Sequence, residues 1–422
     1  MVASIFRLAL LLLVSATTVE GFATTNHERT NLVLNAGPTP ETETDNGQET
    51  VDNTVGMDRR RALTATGLAA MSLWLGDTFG TNNPASKWAA NAAEEASASA
   101  SGRTVLITGC NSGVGLEAAR ILARKGGEKI ILACRTQKKA EDTAASILAE
   151  SPNANLVAAE CDLANLESIQ KFASTVTGSL DVVCYNAGIA LNTAGDIERT
   201  ADGFEKTIGT NHLGHFYLHH LLEPKIATSN SMPGKVVITA SSVHDPESPG
   251  GKQGIPATLG NLDGFAKDGK NFEMVDGNPY NGDKAYKDSK LCNVLFCREL
   301  TSRLSDKNIV VNAFSPGLIT SGNFFRYQNQ VFSSVFNVVT GLVRVAETPQ
   351  YGGAALAFMT TVESTKGEFW DSPAGTSFKY KPENDYKGAF GKEFNVAQVS
   401  KEAQDAQKGK DLWKLSEKLV GI

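Results

Sequence analysis

From Thr104 onward, short and almost continuous apolar runs alternate with segments of helical composition, and no other feature restricts the fold as strongly. The runs occupy residues 105–107, 130–133, 157–159, 182–184, 236–239 and 309–314. They lack the polar-out alternation of a half-exposed strand, which is the pattern of strands buried on both faces of a parallel sheet. Residues 116–125 and 140–150, lying between them, have helical composition. Strand and helix in alternation make a doubly wound α/β domain with helices on both sides of a parallel sheet. Residues 101–422 carry no internal repeat and suit one such domain with insertions.

Residues 1–100 read as a targeting leader. Arg7, an apolar run over 8–14 and small residues up to Gly21 have the layout of a signal peptide, and the run is too short for a stable anchor. Residues 22–57 are rich in Thr, Asn and Glu, include Pro38 and Pro40, and lack hydrophobic periodicity, so disorder in isolation is expected. Arg59, Arg60 and Arg61 precede a second apolar stretch over 62–75 and Ala-rich sequence, the form of a twin-arginine signal. A signal peptide followed at once by Phe22 resembles the bipartite presequences of plastids of secondary origin, and the third section resembles a thylakoid-targeting element; a degenerate membrane tether is the competing reading. Plastid delivery, with peripheral thylakoid association, is the expectation. All six cysteines lie beyond residue 100 with no metal-ligand spacing, which implies a reducing compartment and no disulfide framework. A net charge of −6, without a basic block in the C-terminal three quarters, argues against a nucleic-acid partner.

The first run leads into Thr108-Gly109-Cys110-Asn111-Ser112-Gly113-Val114-Gly115 and then a helix expected near Leu116. Glycines here tighten the turn, admit backbone N–H groups to a pyrophosphate and bring helix and strand together, while the helix N-terminus supplies partial positive charge. Gly109, Asn111, Ser112, Gly113, Val114 and Gly115 are therefore candidate cofactor residues in a Rossmann-like sheet. The second run ends Cys134-Arg135, with Lys138 and Lys139 close behind, where an NAD enzyme usually places a carboxylate for the ribose hydroxyls. A guanidinium there suits a 2′-phosphate, so NADPH is expected; a solvated basic helix start fits the lysines better than Arg135. Asp162 after the third run is a candidate for the adenine amino group, and Asn186-Ala187-Gly188 ends the fourth beside the cofactor path.

Tyr286 and Lys290 stand at i and i+4, on one face of a helix. A phenol titrates near 10 and exchanges protons poorly near neutrality unless its anion is stabilised, which an adjacent ammonium does. Ser242, after the fifth run, is the candidate for bonding the reacting oxygen or orienting substrate, and Asn211 for fixing the lysine through a backbone-linked water.

These residues resemble the short-chain dehydrogenase/reductase family. More narrowly, Lys284-Ala285-Tyr286-Lys287-Asp288-Ser289-Lys290, Thr210-Asn211-His212-Leu213-Gly214-His215-Phe216 and Ser416-Glu417-Lys418-Leu419-Val420-Gly421 resemble the light-dependent protochlorophyllide oxidoreductases. The resemblance covers essentially residues 102–422. It includes a long gap between Ser242 and Tyr286 (286 − 242 = 44), where that family carries an insertion that Leu259-Gly260-Asn261-Leu262 resembles in part. It implies that NADPH gives hydride to one carbon of a reducible C=C bond after light absorption, while Tyr286, assisted by Lys290, protonates the neighbouring carbon. It also assigns the Pro316-Gly317 turn to the cofactor. Where that family reads Tyr-Pro-Gly-Cys, with Tyr and Cys facing the pigment, this chain reads Ser315-Pro316-Gly317-Leu318.

Other readings stay open at this point. A light-independent carbonyl reductase acting on a retinoid- or carotenoid-like substrate would use the same dyad, with Tyr286 protonating an oxygen. A non-enzymatic NADPH-binding sensor or pigment scaffold would predict erosion of the Ser-Tyr-Lys set, which is present. A homo-oligomer is compatible with all three. His212, His215, His219 and His220 read as a packed helix rather than a metal site. The apolar stretch over 323–343 occupies the substrate-lid position of this fold, or is ordinary core, and 401–414 reads as a solvated helix.

Overall fold

The structure is a computed structural model and describes residues 102–191, 196–228, 232–319, 347–373, 375–376 and 393–422. The leader expected over 1–100 and the lid expected over 323–343 lie outside the described residues.

Among the described residues, eight strands form one sheet: β1 (Thr104–Thr108), β2 (Lys129–Cys134), β3 (Asn155–Glu160), β4 (Val182–Tyr185), β5 (Gly234–Thr239), β6 (Ile309–Phe314), β7 (Phe369–Asp371) and β8 (Asn395–Ala397). Their order is β3-β2-β1-β4-β5-β6-β7-β8, parallel throughout except for the antiparallel β7–β8 pair. The six apolar runs are β1 to β6, so the doubly wound parallel sheet read from the sequence is the one observed. One detail is corrected. β3 is the sheet edge rather than a strand buried on both faces, and its Val157 is 36% exposed.

Helices cover both faces. On one lie α1 (Gly113–Lys125), α2 (Gln137–Glu150) and α6 (Pro349–Met359), packed through Ala118, Leu122, Ile147 and Leu356 against β1 and β2. On the other lie α3 (Leu166–Thr175), α4 (Gly214–Leu222), α5 (Gly282–Arg303) and α7 (Ala406–Val420), with Phe172, Phe216, Phe296 and Leu412 in a second core. Two glycines that the sequence reading passed over let α6 sit on α1: a Cβ at Gly353 would stand 2.3 Å from the Glu117 Cβ, and one at Gly352 would stand 2.8 Å from the Val114 Cγ2.

The C-terminal helix is not merely solvated. Gly409, Leu412, Ser416 and Leu419 make a buried face, and Trp413 meets Phe216 edge-on at 4.8 Å. The segment between β5 and α5 is clamped to α5 by ions. Lys284 Nζ lies 2.8 Å from Asp276 and 2.5 Å from Asp288, and Asp288 accepts the Thr258 N–H at 3.0 Å. Two charged residues of the 284–290 motif therefore anchor the insertion.

The order reverses between β1 and β4, and ligands of open α/β sheets bind outside the carboxyl ends of strands at such a point. The glycine loop leaves β1 there and Asn186-Ala187-Gly188 leaves β4.

Candidate active site

The glycine loop is shaped by close approach and by backbone sign. Gly109 has φ +67°, and a Cβ on it would stand 2.7 Å from the Ala187 Cα; a Cβ on Gly115 would stand 2.6 Å from the Asn186 Nδ2. Gly113 has φ +59° and nothing within 4 Å of its Cβ direction, so its side opens to a ligand. The first helix starts at Gly113, three residues earlier than the sequence suggested, because the glycines themselves form its first turn. Its N-cap, Ser112, makes no side-chain capping bond and no acidic residue lies in the first turn, so positive potential faces the loop. Asn111 and Val114 lie in this loop and turn, with Val114 packed under α6.

Thr108 ties the loop to β4, a role the sequence reading missed. Its hydroxyl accepts the N–H groups of Asn186 at 2.9 Å and Ala187 at 3.0 Å. Asn186 spends its amide on Thr108 O, at 2.9 Å, and accepts from the Thr239 hydroxyl at 3.3 Å. It therefore braces the site rather than offering its side chain to a cofactor. Arg135 is exposed at the carboxyl end of β2, whereas Lys138 is taken by Asp142 at 2.8 Å. Asp162, at the end of β3, accepts the Ala164 N–H at 3.0 Å. The crevice thus offers an open glycine turn, an uncapped helix start and a free-standing guanidinium, which together fit a dinucleotide carrying a 2′-phosphate.

Tyr286 and Lys290 lie on α5, whose N-cap Asn281 accepts the Lys284 N–H. Lys290 Nζ sits 5.5 Å from the Tyr286 ring centroid and donates to Thr239 O at 3.1 Å. Burial brings the Lys290 ammonium down to about 8. Burial also pushes the Tyr286 phenol well above its usual value, against a smaller opposing effect of a hydrogen bond with Ser241. Tyr286 therefore keeps its proton, which suits a donor.

The hydroxyl that bears on the Tyr286 phenol is that of Ser241, the neighbour of the Ser242 expected from the sequence. Side chains leaving a strand alternate in direction, so a one-residue shift in where β5 ends exchanges the two hydroxyls. Ser241 begins the turn Ser242–His244 and its carbonyl accepts from His244 Nδ1 at 2.7 Å. His244 Nε2 in turn accepts the Ser400 N–H at 3.3 Å.

Asn211 lies in a π turn (Gly209–Leu213) just before α4. Its amide clamps Ile189, accepting from the N–H at 2.8 Å and donating to the carbonyl at 2.9 Å, and donates to Ser289 Oγ at 3.0 Å. Ser289 donates to Tyr286 O at 2.6 Å. Asn211 is thus joined to the dyad's helix by its side chain. Its carbonyl accepts from His215 Nδ1 at 3.1 Å, which leaves His215 Nε2 to accept from Thr108 at 2.9 Å. A Cβ at Gly188 would stand 3.5 Å from both the Asn211 Oδ1 and the Lys290 Nζ, so the β4 loop, Asn211 and the dyad meet at one point.

His212, His215 and His219 pack as side chains of the core, whereas His220 is exposed. Burial lowers His212 to about 3 and His215 to about 4, and His212 Nε2 meets Ser416 Oγ at 3.0 Å. All six cysteines are free and buried. Ser315 is 1% exposed and points into the fold, whereas Leu318 is 37% exposed. Of the two positions where the chain departs from the Tyr-Pro-Gly-Cys pattern, only Leu318 presents its side chain outward. Gly317 has φ +81°, and its Cβ direction is filled by Glu347 Cγ at 2.4 Å, so the Pro316-Gly317 turn requires glycine.

The family model for short chain dehydrogenases matches residues 103–252. The chain is 36% identical over 334 residues to the chloroplastic protochlorophyllide reductase of Daucus carota, covering 76% of this chain and 78% of that protein. It is 34% identical to protochlorophyllide reductase A of Arabidopsis thaliana (75% and 76% covered) and 32% identical to the protochlorophyllide reductase of Chlamydomonas reinhardtii (80% and 83%). Among solved structures, an uncharacterized protein from Mycobacterium paratuberculosis superposes with a TM-score of 0.53 at 30% identity, over 76% of this chain and 93% of that one. Levodione reductase, at 21% identity and a TM-score of 0.50 over 66% and 98% of the two chains, shares the fold.

Proposed function

The chain belongs to the short-chain dehydrogenase family, in its protochlorophyllide reductase branch, and we propose that its site reduces a C=C bond of protochlorophyllide to give chlorophyllide, using NADPH and light. It is an NADPH-dependent oxidoreductase, with relatives named for this reaction matching over three quarters of the chain. The observation that carries the reading of the site is the convergence of Ser241, Tyr286 and Lys290 beside the β4 loop at the switch point of the sheet.

Gly109, Asn111, Ser112, Gly113, Val114 and Gly115 would receive the pyrophosphate of NADPH, and Arg135 its 2′-phosphate. Asp162 lies at the adenine end, while Asn186, Ala187, Gly188 and the Pro316-Gly317 turn border the nicotinamide end. When bound, NADPH supplies the hydride. Tyr286 releases its hydroxyl proton to the neighbouring carbon of the substrate. The phenolate left behind is held by the Lys290 charge and the Ser241 hydroxyl, which lowers the cost of proton release. Asn211 acts as a positioning residue, through Ser289 and Ile189.

The carbonyl-reductase reading drew on the loss of the expected Tyr and Cys at Ser315 and Leu318; Ser315 is buried and Leu318 exposed, and the relatives named for protochlorophyllide reduction favour the first reading. We place the protein in the plastid, as the relatives' chloroplastic names support, and at the thylakoid surface. Among the described residues no helix is long and apolar enough to cross a membrane. The purified protein, incubated with NADPH and protochlorophyllide, should form chlorophyllide after a flash and none in darkness. Product formed equally in darkness would remove light from the account.

A further inference from the structure

The proposed reaction gives no part to one buried ring that is bonded to both halves of the site. His215 is the second residue of α4, and 2% of it is exposed. Its Nδ1 lies 3.1 Å from Asn211 O and its Nε2 lies 2.9 Å from Thr108 Oγ1. A carbonyl oxygen only accepts, so the ring proton sits on Nδ1. Burial, ahead of the opposing Asn211 hydrogen bond, lowers His215 to about 4, so the ring is neutral near pH 7. Nε2 then presents a lone pair, and the Thr108 hydroxyl donates to it. That hydroxyl already accepts the Asn186 and Ala187 N–H groups, at 2.9 and 3.0 Å. Its competing acceptor, Cys184 O, is farther away at 3.3 Å. The ring therefore completes the bonding of Thr108.

The two ends of the ring serve different halves of the chemistry. Thr108 closes β1 just before Gly109 and holds the first N–H groups of the β4 loop, so it belongs to the cofactor side. Asn211 clamps Ile189 and donates to Ser289 Oγ, which donates to Tyr286 O, so it belongs to the proton-donor side. An imidazole is planar, and its two nitrogens keep a fixed separation. The Tyr185 ring, 5.3 Å away and tilted by 42°, packs against it. A phenylalanine would fill the same space, so packing alone does not call for a donor at one end and an acceptor at the other.

We propose that His215 is a positioning residue for the reaction, a rigid strut that sets Asn211 and the α5 turn carrying Tyr286 against Thr108 and the β4 loop. This rests on the reading of the reaction given above. Hydride and proton go to neighbouring carbons from groups held on different elements, so the separation of those elements is itself a catalytic quantity. The Nδ1–H tautomer is part of the device. A proton moved to Nε2 would face Thr108 with a donor where its hydroxyl needs an acceptor, and would leave a bare Nδ1 against the Asn211 carbonyl.

The test uses the full protein with NADPH and protochlorophyllide, comparing wild type, His215→Phe, His215→Asn and a remote core control, Ile147→Ala on α2. His215→Phe should lower kcat by about ten- to hundredfold, the order expected when reacting groups are misplaced by about 1 Å or less. KM and the NADPH dissociation constant should stay within about twofold. The asparagine amide can still donate to Asn211 O but does not span to Thr108, so His215→Asn should be as slow as His215→Phe. Wild-type kcat in His215→Asn would make the ring a local cap and overturns the proposal. Ile147→Ala should lower the melting temperature at least as far as His215→Phe does, with wild-type kcat. If kcat falls equally in those two variants, the ring serves packing alone, which also overturns it. Combining His215→Phe with Thr108→Val should be no slower than the slower single variant, and multiplying losses would contradict a shared strut. If the wild type forms no chlorophyllide at all, the reading of the reaction fails, and nitrogen NMR with isotope-labelled histidine judges the strut separately. The ring signal that disappears in His215→Phe should report a proton on Nδ1; a proton on Nε2 overturns the strut.

Discussion

Tyr286→Phe leaves NADPH bound and removes the chemistry: kcat should fall by about 10²–10⁴-fold, the usual contribution of a positioned acid, with the NADPH dissociation constant within about twofold. The ring keeps its place in the α5 surface above Lys290, so packing changes little. What is lost is the one proton that burial holds on the phenol and that Ser241 directs. Flash-induced single turnover measures the first quantity and NADPH fluorescence the second. A wild-type rate would show that another group protonates the substrate.

Gly109→Ala should be the most damaging small substitution in the glycine loop. Its φ of +67° costs an alanine about 1–2 kcal/mol, and the new Cβ would stand 2.7 Å from the Ala187 backbone, adding about 1–3 kcal/mol of overpacking. Gly113→Ala is the control. It shares the positive φ, at +59°, but has open space around it, so it should lose only the backbone cost while weakening NADPH through that open side. Urea denaturation of the two proteins measures the difference. Equal losses of stability would mean that the β1 and β4 loops are not in contact as described.

The parts of this fold that were legible in the sequence are those whose signal is local. β1 to β6 appear as apolar runs that are continuous or nearly so, Asn312 interrupting β6, and the glycine loop announces itself by where it lies between a strand and a helix. β7 and β8 have three residues each, too few for a period, and Trp370 and Val396 carry no alternation to read. Ser241 was passed over for its neighbour because the end of a strand decides which of two adjacent hydroxyls faces the site, and composition does not mark that end. Thr108, His215 and His244 act on partners far along the chain, so nothing beside them in the sequence points to their roles. The positions of Arg135, Asn211, Tyr286 and Lys290 are legible because their spacing from strand ends or from one another is itself the signal. Ser315 shows the opposite limit: the exchange is visible, but only the fold reveals that its side chain is buried and accepts the Ser242 and Gly317 N–H groups.

The central claim is that one site carries both hydride and proton delivery to protochlorophyllide. The most direct measurement follows NADPH loss and chlorophyllide absorption together in the purified protein under illumination. The account predicts one NADPH oxidised for each chlorophyllide formed, with both signals abolished in Tyr286→Phe. NADPH oxidation without chlorophyllide, or no change in either signal in the wild-type protein, would contradict it.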